Sequence, residues 1–320
     1  MNLSVGKVIA CLGLSMLAVV SHAQSYPNRP VRFVISFPPG AGPDVFARTL
    51  SPKLSEKWGQ QAIIDNRPGG GGNIATELVA RAAADGYTVV VLSNHFTINP
   101  SLFRKVPYDP VKDFAPVILA TWTPTVLLVH PSLPVKTVKE FLAFAKPRSG
   151  ELNYASGGNG SVAHMAGALL EAMTGIRFVH VPYRGPAESS TALVSGQVPF
   201  AFATAPQALT YVRSGRLRAL GASKRVAAAP DWPLIEESGV PGFDIVAWQG
   251  ILAPSATPPA VVNTLNADIG AVLKNDEIKE RLTRQGLEII GGTSADFAQF
   301  LATELVKWKE VVKKTGATVD

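Results

Sequence analysis

The sequence predicts an α/β protein of two lobes joined by two crossings of the chain. Three observations predict it. Strand-like and helix-like segments alternate from Pro30 onward. Loops rich in glycine stand where a strand hands over to a helix. Two extended passages interrupt the alternation: Val117 to Ala120 with Thr125 to Val129 on either side of Pro124, and later Phe243 to Ala253. Alternating strands and helices build a mainly parallel sheet between helical layers. A chain of 320 residues with 47% hydrophobic content can fill two such cores.

Pro30 to Phe37 reads as the first strand, followed by the loop Pro38-Pro-Gly-Ala-Gly-Pro-Asp44. The next helix carries Val45, Phe46, Leu50, Leu54 and Trp58 at helical spacing. Gln61 to Asp65 is a second strand. The run Arg67-Pro-Gly-Gly-Gly-Gly-Asn73 then leads into a helix bearing Ile74, Leu78 and Val79, with Asn73 as its N-cap. Tyr87 to Ser93 is a continuous apolar run, the pattern of a strand buried on both faces. Beyond the first crossing come a helix (Val138 to Ala145), a strand (Leu152 to Ala155), the loop Ser156 to Gly160, and a helix starting at Ser161. That helix sets Val162, Met165, Ala166, Leu169, Leu170 and Met173 on one face. A strand (Arg177 to Val181), a helix (Ala187 to Ser195), a strand (Val198 to Phe202), a helix around Ala208 to Arg213 and a strand (Leu217 to Ala222) complete a second α/β unit. After Pro254, Pro258 and Pro259 a helix carries Val261, Val262, Leu265, Ile269 and Leu273, and the C-terminal helix carries Phe297, Phe300, Leu301, Leu305 and Trp308. The expected division is a discontinuous first lobe, residues 26–125 plus 250–320, with residues 126–249 as the second lobe. Two connecting segments make a hinge, the arrangement by which two-lobed binding proteins close around a ligand.

The first residues read as a secretory signal. Lys7 supplies the positive charge, Val8 to Val20 the apolar stretch, and Ser21-His22-Ala23 the small residues of a cleavage site, so residues 1–23 are excluded from the fold. The only cysteine, Cys11, lies inside that segment, which leaves no thiol for a disulfide, a metal or a nucleophile. The net charge of +6 is spread along the chain without a run of five basic residues, against a nucleic-acid footprint. Mean hydropathy is +0.18, yet no mature segment has the eighteen or more apolar residues of a membrane span. The histidines do not form a His-Glu-x-x-His pattern, and no metal is expected.

The loops carry the chemistry. Glycine lets a backbone approach a ligand closely. A helix N-terminus beyond such a loop offers unpaired amides and a positive dipole end to an anion. Ser161 suits the N-cap of its helix. Parallel sheets bind ligands beyond the carboxyl ends of their strands, so the loops at Gly40 and Gly158 are expected to face each other across a cleft. Asp44 is first a charge at a helix N-terminus. His164 falls opposite the apolar face of its helix, and is expected exposed or at the cleft.

These residues resemble the Bug receptors, the solute-binding proteins of tripartite tricarboxylate transporters. The likeness rests on Phe37-Pro-Pro-Gly-Ala-Gly-Pro-Asp44, Asn66-Arg-Pro-Gly-Gly-Gly-Gly-Asn-Ile74, Asn99-Pro-Ser-Leu102, Pro107-Tyr-Asp-Pro-Val-Lys-Asp-Phe114, Ala155-Ser-Gly-Gly-Asn-Gly-Ser-Val-Ala-His164 and Val179-His-Val-Pro-Tyr-Arg-Gly185. It implies a two-lobed periplasmic binding protein of the Venus-flytrap kind, type II-like, that needs no cofactor and captures a di- or tricarboxylate, an acidic amino acid or an aromatic acid. Carried over residue by residue, it implies first-lobe contacts from Phe37, Gly40, Ala41, Gly42, Asp44, Ser93 and Asn94. The implied second-lobe contacts are Ser156, Asn159, Gly160, Ser161 and His164, with Tyr183 and Thr204 closing the pocket. The partners implied are membrane permease subunits, or a membrane sensor, with the receptor a periplasmic monomer. Two positions depart from the family pattern. Ala41 replaces a common glycine, and Ala203 stands where relatives often carry an aspartate, which disfavours a ligand bearing an ammonium group.

Two enzyme readings compete. Gly158-x-Gly160-x-x-Ala163 fits a dinucleotide fingerprint, but the next strand, Arg177-Phe-Val-His-Val-Pro-Tyr183, lacks the acid that holds the ribose. No Gly-x-Ser-x-Gly elbow supports a serine hydrolase. A receptor rather than an enzyme is expected.

Overall fold

The computed structural model of the chain describes residues 26–319. The expected signal segment and Cys11 lie outside the described residues. The elements in order are β1 (Val31–Ile35), α1 (Gly42–Trp58), β2 (Ala62–Asn66), α2 (Asn73–Ala80), β3 (Thr88–Leu92), α3 (His95–Leu102) and β4 (Phe114–Val129). They continue with α4 (Val138–Ala145), β5 (Asn153–Ser156), α5 (Val162–Thr174), β6 (Val179–Pro182), α6 (Pro186–Val194), β7 (Phe200–Thr204), α7 (Ala205–Arg213) and β8 (Arg218–Ala222). The chain ends with β9 (Val246–Pro254), α8 (Pro259–Leu273), α9 (Asp276–Arg284), β10 (Glu288–Gly291) and α10 (Ser294–Thr315).

Two lobes share one strand. In the first sheet β2, β1 and β3 run parallel, and β9 joins β3 and β4 antiparallel to both. The far edge of β4 takes β10 through Leu119 to Trp122. In the second sheet β7, β5 and β6 are parallel, while β7 and β8 flank the later half of β4 antiparallel to it. Helices cover both faces of each sheet, as the unbroken apolar strands require. Phe33, Ile35, Val89 and Val91 point to α1, α8 and α9, whereas Val34, Val90 and Leu92 point to α2, α3 and α10. That split is the period-two alternation of a strand.

Pro124 does not divide the first crossing into two strands. β4 runs unbroken for 16 residues. Pro124 stands opposite Val246, the last pair of the β4–β9 ladder, and the register shifts directly after Pro116. A residue without an N–H is tolerated at a ladder's end or beside an irregularity. Three elements carried no expectation. In α3 six of eight residues are buried and Pro100 lies inside, so no amphipathic period marks it. α9 is mostly charged and buries only Ile278 and Leu282, one helical turn apart. β10 is four half-buried residues.

The C-terminal helix serves both lobes. Phe297 and Leu301 of α10 pack beneath the first sheet, while Trp308 and Val311 join the core of the second with Leu127, Met165 and Phe200. Ile98 and Leu102 of α3 enter that same second core. A helix of 22 residues is about 33 Å long, enough to reach both. Its start is fixed by a capping box between Thr293 and Asp296. Trp308→Ala should therefore cost about 3–5 kcal/mol and lower the midpoint of a single cooperative urea transition. Two separated transitions would show that α10 does not couple the lobes.

Candidate ligand-binding site

The strand registers bring the two sets of loops together. Asn94, just past the carboxyl end of β3, donates through Nδ2 to the Val246 carbonyl at 2.7 Å, and Val246 lies opposite Pro124. Thr204, at the carboxyl end of β7, lies opposite Thr125. The carboxyl ends of the parallel strands in both sheets thus meet where β4 passes from one sheet to the other. Phe37, Gly40, Ala41, Gly42, Ser93 and Asn94 follow β1 and β3, while Ser156, Asn159, Gly160, Ser161, Tyr183 and Thr204 end or follow β5, β6 and β7.

In the first lobe the loop after β1 is tied to the start of α1. Asp44 is buried, and its carboxylate accepts from the Gly40 amide at 2.8 Å, from Arg48 Nε at 2.9 Å and from Asn66 Nδ2 at 2.8 Å. Burial would raise its pKa. The Gly40 amide, Arg48 and Asn66 outweigh that and hold it below the usual carboxylate range. Asp44 therefore works as an internal anchor of the loop. Asn94 is equally committed. Its Oδ1 accepts from the Trp248 amide at 3.2 Å and from the Ser93 hydroxyl, so its amide mimics a strand partner for the start of β9. Phe37 sets its ring edge-on to His95 at 5.2 Å.

In the second lobe two histidines hold the loop. His164 is buried at 6% exposure, contrary to the expectation that it is exposed or at the cleft. The helix packs its polar side against β6 instead of solvent. The His164 ring stacks on His180 at 4.0 Å, and its Nδ1 accepts from the Gly160 amide at 3.0 Å. His180 Nε2 meets the Ser156 hydroxyl at 2.6 Å, and that hydroxyl accepts from the Gly158 amide at 3.1 Å. Burial first, and His180 next, push His164 down to about 3, and burial pushes His180 down to about 4. Both rings are neutral at physiological pH. Ser161 caps α5 by accepting from the His164 amide.

The amides of Gly40, Ala41, Gly158, Gly160 and Ser161 are thus engaged within their own loops. Those of Gly157 and Asn159 have no partner among the described residues. Gly160 takes φ +74°, and a Cβ there would come 3.1 Å from Leu102 of α3, so this loop touches the other lobe's helix. Tyr183 is half-buried, and Thr204 bonds Gln207 through its hydroxyl at 3.1 Å. Ala203 lies opposite Val126 in the β4–β7 ladder. The tetraglycine run packs on α3, where a Cβ on Gly72 would fall 2.3 Å from the His95 ring.

The sequence reading missed His95, His180 and Gln249. His180 and Gln249 are each a lone polar residue in an otherwise apolar run, the one signal that marks them, whereas His95 stands among Asn94, Thr97 and Asn99 and carries no such signal. His95 is enclosed with neither ring nitrogen paired, and burial drives it down to about 3. Trp248 is fully buried against Phe297 and Phe300, and Trp122 donates to Glu288 at 3.2 Å. Among the described residues no group of three His, Cys, Asp or Glu is placed to hold a metal. No described helix is long and apolar enough to cross a membrane.

A doubly sheeted α/β fold with opposed loops about a hinge defines a two-lobed solute-binding receptor. The family model described as the tripartite tricarboxylate transporter family receptor matches residues 46–317, and the chain belongs to that family. BugT of Bordetella pertussis is 34% identical over 317 residues, covering 98% of this chain and 96% of BugT. Among solved structures, R. palustris Rpa4515 with adipate superposes with a TM-score of 0.78 at 35% identity, over 91% of this chain and 98% of that one. MatC from Rhodopseudomonas palustris with bound malate gives 0.74 at 33% identity, over 90% and 100%.

The neutral histidines make stability depend on pH. In the unfolded chain each imidazole titrates near 6.5, whereas in the fold it stays neutral until about 4 or below. Unfolding then takes up protons as pH falls below 6.5, so this contribution to stability is intact above 6.5 and shrinks toward pH 4. Urea midpoints measured between pH 7 and about 5 should fall, and less steeply for His180→Gln. An unchanged slope in that variant would remove the pair from the account.

Proposed function

We propose that the protein is a periplasmic monomer that captures a small carboxylate between its lobes and presents it to membrane permease subunits. The ligand class is a di- or tricarboxylate or an aromatic acid. The observation that carries this reading is the meeting of parallel-strand carboxyl ends from both sheets at Thr123–Thr125. The adipate of Rpa4515 and the malate of MatC, in relatives of the same family, support the class. The proposed contacts are Phe37, Gly42 and Ser93 from the first lobe, with Gly157, Asn159, Tyr183 and Thr204 from the second; Gly40, Ala41, Gly160 and Ser161, whose amides are engaged within their loops, shape the wall of the cleft. Asp44, Asn94, Ser156 and His164 act by holding those loops in shape.

Capture is a shift of population. The acid binds one lobe of the open form, and contacts from the other lobe then favour closure. Hydrogen bonds to a charged acceptor contribute about 1.5–3 kcal/mol each, so two or three new ones outweigh a modest cost of closing. The segment up to Ala23 directs export and is removed as the chain crosses the membrane. Ala203 offers no counter-charge for an ammonium group, which favours simple acids over amino acids.

Titration calorimetry with malate, adipate, citrate, benzoate, aspartate and glutamate tests the reading. At least one simple acid should bind in the micromolar range or tighter, with the two amino acids weaker. Binding of the amino acids alone, or of none of the six, would reject it.

A further inference from the structure

We propose that Gln249 is a specificity-determining residue that grips one carboxylate of the ligand together with the first turn of α1. The inference rests on the reading of the cleft as a carboxylate site and adds a residue that the family likeness does not supply. Gln249 lies on β9 opposite Thr121 of β4 and is only 5% exposed. The Thr121 hydroxyl, itself fully buried, donates to Gln249 Oε1. With Oε1 on that hydroxyl, Nε2 faces the start of α1. Nε2 lies 3.6 Å from the place a Cβ on Gly42 would occupy. It has no hydrogen-bond partner among the described residues.

Most of the Gln249 side chain is enclosed, but Nε2, unlike the sealed ring nitrogens of His95, keeps an accessible edge and stands as an open donor. The surroundings say what it faces. Gly42 and Asp44 begin α1, whose first-turn amides have no partner within the helix. The dipole of a 17-residue helix adds positive potential at the same point. The one nearby acid, Asp44, is already occupied by Gly40, Arg48 and Asn66. Donors therefore collect where no free acceptor stands, which is the signature of a site for an anion. A carboxylate has two oxygens and about four lone-pair directions. One oxygen fits the helix amides and the other the Gln249 N–H pair.

Gly42 separates this role from a structural one. Its Cα carries nothing that would cover Nε2, and a methyl there meets only ordinary contact distance. Gly42→Ala should fold normally, since alanine favours a helix, yet it caps the donor.

The test is calorimetry of wild type, Gln249→Leu, Gln249→Glu and Gly42→Ala with malate and adipate, with thermal melts to confirm folding. Gln249→Leu should weaken binding about ten- to a hundredfold. Gln249→Glu keeps the shape and suits a helix N-terminus, so it should melt no lower than wild type yet lose binding altogether. Gly42→Ala should lose at least about tenfold. Wild-type affinity in Gln249→Glu or in Gly42→Ala would overturn the inference and leave the cleft assignment intact. Should wild type bind neither acid nor any of the other four, the cleft assignment falls and this inference with it. If Gln249→Leu fails to fold, the glutamate and alanine variants still decide.

Discussion

The shared strand β4 is the constraint on which the rest depends. Its first half pairs with β9 and β10, its second with β7 and β8. Because β9 is antiparallel to both β3 and β4, the strands β3 and β4 point the same way. Because β7 is antiparallel to β4, its end returns to the point where β4 enters the second sheet. Two independent α/β units are thereby forced to present their strand ends to one crossing. Thr125 reinforces that point: its amide donates to the Ser223 hydroxyl at 3.0 Å, its carbonyl accepts from the Ser223 amide at 2.8 Å, and its hydroxyl donates to the Ile245 carbonyl at 3.1 Å. The cleft is a consequence of strand direction before any side chain is considered.

Within that frame the loops are stiffened by their own side chains. In each lobe a glycine amide is bound by the residue four positions on, Gly40 by Asp44 and Gly160 by His164. The two devices differ in charge, a carboxylate in one lobe and a neutral imidazole in the other, yet do the same work. They fix the loop before a ligand arrives, which reduces the entropy lost on binding. It also narrows what touches the ligand. Amides spent on loop geometry are not free for an anion, so the proposed grip falls to Gly157, Asn159, the first turns of α1 and α5, and side chains at the hinge.

The elements with clear periodicity were legible in the sequence, and α4 is found at the residues its pattern marks. The two-lobed α/β class followed from the same alternation. Helix α3 was not legible, because nearly all of it is buried and a helix buried all round has no polar face to set a phase. His164 misled for a related reason. Helical phase put it away from the apolar face, but β6 and its His180 close over that side, a contact 16 residues away that no local pattern carries. Gln249 was illegible as a site residue since its importance comes from Thr121 on a different strand and Gly42 on a different helix. Loops show in composition; the groups that fix their geometry show only when distant strands are brought side by side.

The links between the lobes limit how far they part. α10 lies in both cores, and Lys307 within it pairs with the buried Glu304 and donates to the Asp244 carbonyl at 2.9 Å, one residue before the hinge residue Ile245. Asp244 in turn pairs with Lys224 at 3.0 Å. Elsewhere the loops come close across the lobes: a Cβ on Gly160 would lie 3.1 Å from Leu102, and one on Gly286 would lie 2.0 Å from Pro206. With α10 in both cores and β4 in both sheets, the proposed closure would be a rotation about the crossing rather than a separation of the lobes. On that reading, the hydrogen bonds to an anion that only the closed form can complete are what select it.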